Sequence, residues 1–231
     1  GPRSVLSILA HETAHRWGCT IRFQPPGSKS PSSELLGTPY HWSFFLDSGD
    51  SRLGGNRWVP LGDNLFRAEP ITAVGFAPID LYLMGMLAAD GVPPLRLLLN
   101  SRSHDPSMQA GFHGSWPRVT QPLEVEADLL EIPIAQIIDV EGPRDGRVGF
   151  SATRIRQAWI LVHESGSSAS PDTVMKLGQL LSSWADAFSG MTQGRSSMIT
   201  TLTPRENPMV RKRQGTSPNM NTTKRCREPV P

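Results

Sequence analysis

The chain has 231 residues, 38% of them hydrophobic, and a formal net charge of +2, which is enough for one domain with a real core. It contains no run of 18 apolar residues, so no membrane span is expected. Seven of the basic residues and two Glu fall from Arg205 onward, leaving a body of 16 basic and 19 acidic groups. That mildly acidic body lacks the footprint of a nucleic-acid binder. Two cysteines, Cys19 and Cys226, support neither a disulfide framework nor a zinc knuckle.

The first element in the chain is the most informative. Ser4 to Gly18, SVLSILAHETAHRWG, carries His11, Glu12 and His15 in the pattern H-E-x-x-H. On a helix, residues four apart share a face, so both imidazoles can point at one atom. Zinc bound there keeps a position open for water, and Glu12 can act as its general base. Val5, Leu6, Ile8, Leu9 and Ala10 make the helix apolar nearly all round, so it is expected to be buried. Ser4 is the expected N-cap and Gly18 the expected C-terminal stop. The alternative is a chance HETAH on a structural helix. The chain opens almost inside this helix, which is read as a fragment whose upstream strands are missing.

Cys19 to Phe23 is expected to be a short strand, and residues 24–38 an exposed Pro/Ser/Gly loop. Tyr40 to Leu46 is an aromatic, apolar strand preceding a turn-rich stretch. Arg57 to Pro60 and Asn64 to Glu69 are two short strands around Leu61-Gly62-Asp63. Ala77 to Ala89, APIDLYLMGMLAA, predicts an apolar helix with Pro78 in its first turn and one acid, Asp80. Leu95 to Leu99 and Leu123 to Leu130 read as strands, and the polar stretch 100–117, with His104 and His113, as a loop. Pro133 to Val140 predicts a short helix closed by Glu141-Gly142-Pro143. Gln157 to His163 predicts a buried strand. Pro171 to about Phe188 predicts a helix capped by Ser170, and Met198 to Leu202 a last strand. Residues 205–231 have no aromatic residue and read as a disordered basic tail, giving a domain of residues 1–204 followed by that tail.

A catalytic zinc site needs a third protein ligand. The extended pattern H-E-x-x-H-x-x-G-x-x-H is matched as far as Gly18, but Ile21 stands at the third His position. Asp80 is the first choice, because a carboxylate buried in an apolar helix needs a partner such as a cation. It can equally serve the helix N-terminus. His41 is the second choice, as ligand, oxyanion donor or core histidine. Tyr82 is a further candidate for the oxyanion, although two residues from Asp80 it turns away on a helix.

HETAHRWG, HWSFFLDSG…LGGNRW and FAPIDLYLMGML together resemble a group of bacterial secreted proteins of zincin type. Their motifs run H-E-x-x-H-R-W, then H-W-S-F-F-x-D, then P-L-[DE]-L-Y-L-M-G. The resemblance covers residues 3–100 and extends weakly to about 202. It implies a metallopeptidase-like fold, more than any particular substrate, and an extracellular or cell-surface location. An acid from a second helix as third ligand is similar to the gluzincins and aspzincins, and by that analogy Asp80 joins His11 and His15.

The expectation is therefore an α+β, zincin-like domain with an active-site helix, a small mostly antiparallel sheet and a second helix carrying the acidic ligand. It would be a Zn2+-dependent peptidase acting on a protein or peptide substrate, with no specific nucleic-acid partner. The alternatives are a non-catalytic binding or surface module, or a zinc hydrolase of a non-peptide substrate.

Overall fold

A computed structural model describes residues 4–38, 40–70, 75–103, 114, 119–144 and 154–200. His104, His113 and the tail 205–231 lie outside the described residues.

The chain begins with helix α1, Val5–Ala14, capped by Ser4, whose Oγ accepts from Ser7 N–H. The helix does not run on to Gly18; His15 is its C-cap. Gly18 serves close packing instead, since a Cβ there would lie 2.3 Å from Leu53 Cδ1. α1 is less buried than its composition predicts. Ala10 and Ala14 are buried, while Val5 and Ile8 are 54% and 44% exposed.

Five strands follow: β1 Trp42–Asp47, β2 Gly54–Gly62, β3 Leu65–Glu69, β4 Leu95–Ser103 and β5 Leu123–Ile132. They close into a barrel in the order β1-β2-β3-β5-β4. β2 and β3 form a hairpin whose two loop residues, Asp63 and Asn64, both have positive φ, the geometry of a tight primed turn. β3 with β5, β4 with β5 and β1 with β4 pair antiparallel, while β1 and β2 run parallel in an irregular register. Phe44, Trp58, Phe66, Ala68, Leu98, Val125 and Ala127 form one buried cluster contributed by all five barrel strands. A second, larger core joins α1, β1 and the remaining helices through residues such as Trp42, Leu46, Ile79 and Trp184.

The expected α+β zincin-like architecture is therefore corrected. The small sheet closes on itself, β1 pairing on both sides, so the five strands leave no open edge in that sheet. Strand closure depends on pairings between distant segments, which local patterning does not specify.

α2 spans only Pro78–Leu83, shorter than the predicted helix. Gly85, at φ +73°, stops it: Met86 N–H donates to Leu81 O and Gly85 N–H to Tyr82 O. This is the paired closure of a helix ending on a left-handed glycine. α3, Ile134–Glu141, ends at Gly142, and α4, Pro171–Met191, is capped by Ser170 Oγ, both close to expectation. Residues 157–163 do not form the expected buried strand. Ile160 and Val162 are 87% and 83% exposed, and the strand in this region is instead β6, Arg154–Arg156, paired parallel with β7, Ser197–Ile199. The predicted strand at Cys19 to Phe23 is reduced to a single bridge between Phe23 and Ser32. Among the described residues no helix is long and apolar enough to cross a membrane.

Candidate metal centre

The last turn of α1 carries His11 and its C-cap His15, four residues apart, and both rings project to one side. His41, one residue before β1, brings a third imidazole to them. His15 Nε2 lies 3.1 Å and His41 Nε2 3.2 Å from His11 Nε2. The ligating atoms of the three residues lie within 4.8 Å of one another, and among the described residues this is the one such grouping of His, Cys, Asp or Glu. His11 and His41 stack, and His15 meets both edge-on.

The tautomer of His11 follows from its other nitrogen. Nδ1 lies 2.8 Å from the Arg52 carbonyl oxygen, which can only accept, so Nδ1 carries the hydrogen. In the neutral ring Nε2 then presents a lone pair to the cluster. A backbone carbonyl behind a histidine is a common outer partner of a metal ligand. Burial, and then the neighbouring His11 and His41, hold the His15 pKa below the ordinary histidine value, with Glu12 pulling it partly back up. A ring held neutral is in the protonation state a metal needs. His15 Nδ1 is buried and has no partner among the described residues. Glu12 is exposed on the same helical turn.

Asp80 lies outside the histidine cluster. It is 2% exposed. One carboxylate oxygen accepts from Ser51 Oγ at 2.7 Å and the other from Ala77 N–H at 3.1 Å. Both oxygens are thus engaged, and one of them stabilises the N-terminus of α2, the alternative role open to this residue. Burial pushes its pKa up, while hydrogen bonds from Ser51, Ala77 N–H, the Trp42 side chain and the Arg52 backbone pull it back. The third imidazole stands where the acid was expected. A signal favouring His41 exists in the sequence, because Asp80 falls at a helix N-terminal position where carboxylates have a local use. Tyr82 is also elsewhere: it belongs to the core, and its hydroxyl accepts from Arg144 N–H. His163 is bound within its own turn by Glu164 O and Ser167 Oγ.

Asp80 still bears on the site, through Ser51 and through its own bonds from Trp42 and the Arg52 backbone. Ser51, which donates to it, accepts from Trp42 Nε1–H at 2.8 Å and Leu53 N–H at 3.1 Å. Trp42 follows His41 in the chain, and Arg52, between Ser51 and Leu53, supplies the carbonyl that orients His11. The Arg52 side chain adds bonds to Gly75 O and Ser7 Oγ, tying this loop to the start of α1. Neither Ser51 nor Arg52 has any local sequence signal, since both sit in a turn-rich stretch whose importance arises only from what folds against it.

Two nitrogens each 2.0–2.1 Å from a tetrahedral zinc lie about 3.3 Å apart. The two separations that involve His11, 3.1 and 3.2 Å, are close to that, all three ligating atoms lie within 4.8 Å of one another, and an all-imidazole donor set suits zinc. The three imidazoles are a set that could hold a zinc ion. No family model, no curated protein and no solved structure matches the chain.

Proposed function

We propose that this chain is a zinc-dependent hydrolase of peptide bonds, with His11, His15 and His41 as protein ligands and Glu12 as general base. The observation that carries the reading is the convergence of three imidazole nitrogens, two of them from a helix whose sequence is H-E-x-x-H. Three protein ligands leave room for water or substrate, as catalytic rather than structural zinc requires. Zinc held there would polarise the scissile carbonyl and bring the pKa of water toward neutrality.

The chain's own residues have distinct tasks. His11 is fixed in ring orientation and tautomer by the Arg52 carbonyl. His15 is kept neutral by burial and by its two neighbours. Glu12, exposed beside His11, takes the proton from the attacking water and returns it to the leaving amine. The H-E-x-x-H pattern is what favours a peptide substrate, and an extracellular or cell-surface location rests on the motif resemblance alone.

Glu12→Gln is the test. The variant is expected to bind one equivalent of zinc by elemental analysis and to lose about 10²- to 10⁴-fold in cleavage of quenched peptides. Full retained activity refutes the assignment. A wild-type protein that holds zinc but cleaves nothing, with or without chelator, makes the metal structural and the chain a binding module.

A further inference from the structure

Within the closed barrel, β1 and β4 pair along only part of their length. β1 and β4 are registered only at Leu46 with Leu97 and Asp47 with Arg96. Earlier in β1 the strand takes other partners: Ser43 N–H donates to Leu35 O and Phe44 N–H to Gly114 O. On the facing strand, Asn100 has φ +51° and the pairing of β4 with β5 shifts register between Leu99 and Arg102. Between the diverging strands lies a cleft of about 340 Å³. Leu36, Phe45 and Leu97 to Leu99 give it apolar walls, and Ser43 and Ser101 also line it. Ser101 Oγ is buried and has no partner among the described residues.

The cleft and the histidine cluster draw on the same stretch of chain at the start of β1, where Ser43 lines the cleft and His41 belongs to the cluster. Alternation puts Ser43 and Phe45 on one side of the strand, and both reach the cleft. His41 precedes Ser43 by two residues, a separation of about 7 Å along an extended chain. The wall contributed by residues 34–36 joins the same point, because Leu36 bridges Trp42 and Gly37 N–H donates to His41 O. An extended peptide with its scissile carbonyl at the imidazoles therefore reaches the cleft with a side chain about two residues away.

We propose that the cleft between β1 and β4 is the specificity pocket of the reaction, receiving a large apolar side chain, Leu or Phe, of the peptide substrate. The inference rests on the peptide-hydrolase reading. The leucine and phenylalanine walls supply apolar burial for that side chain. Glu34 is the one charged residue among those lining the cleft; it is exposed, and its carboxylate accepts from Ser32 Oγ.

The test uses the zinc-loaded full chain and quenched peptides differing only at the residue two positions from the cut: Gly, Ala, Leu, Phe or Lys. Wild type is expected to favour Leu and Phe by about tenfold or more in kcat/KM. Ser101→Phe, which fills the cleft, reverses that order while zinc content is kept. Leu99→Ala, which enlarges it, moves the preference from Leu toward Phe and serves alone should Ser101→Phe not fold. Zinc- and Glu12-dependent cleavage with one unchanged order of preference in wild type and variants overturns the pocket and spares the hydrolase. A wild-type preference for Lys or Gly also overturns it. The absence of any such cleavage overturns the hydrolase, and the pocket with it.

Discussion

Replacing Asp80 by asparagine separates two accounts of this acid, ligand or support. Its shape is kept, but one of its two acceptor oxygens becomes a donor. Ser51 cannot adapt, because its hydroxyl already accepts from Trp42 Nε1–H and Leu53 N–H, and its single hydrogen must go to the side chain at position 80. The amide nitrogen of the substituted side chain is then forced against Ala77 N–H, and a buried backbone donor loses its acceptor. Such a loss costs about 1–3 kcal/mol. For a chain of this size about 2 kcal/mol lowers Tm by about 4–8 °C. The loop 48–53 that delivers the Arg52 carbonyl to His11 loosens with it, so zinc affinity is expected to fall about 10- to 100-fold, as for other outer partners. Melts in chelator and competition against a chromophoric zinc indicator read the two effects. Zinc binding abolished with an unchanged melt would make Asp80 itself a ligand. Both quantities unchanged would refute the chain of bonds from Asp80 through Ser51.

His41→Ala, by contrast, removes a proposed ligand, so its loss of zinc affinity in the same competition assay should exceed the about 10- to 100-fold range of an outer partner. The metal-free protein should lose stability as pH falls below about 6.5, the unfolded histidine value. The His15 pKa is lowered in the fold, so between its folded and unfolded values the unfolded chain binds more protons and stability climbs with pH. Urea titrations in chelator across that window check the sign, and a flat or opposite trend contradicts it. Gly85→Ala forces a side chain into the left-handed region at the end of α2 and should cost about 1–2 kcal/mol, measured as a lower urea midpoint with unchanged slope.

Elements specified by neighbouring residues were legible in the chain. Ser4 and Ser170 cap α1 and α4 as their positions predict, and Gly142 ends α3. Gly85 was equally visible inside its apolar run, and its left-handed turn is what cut the predicted helix short. The apolar run Trp159 to Val162 misleads for a different reason. Composition gives it strand character, but no strand pairs with it among the described residues and most of it faces solvent.

What the sequence by itself determined is the helix face bearing His11 and His15 with Glu12 beside them, because spacing along one helix is a local property. Only the tertiary structure decided that His41, not Asp80, joins them, and that the sheet closes into a barrel. Both outcomes depend on which distant segments pack together, and Asp80 was claimed by nearer partners, the hydroxyl of Ser51 and the first turn of its own helix.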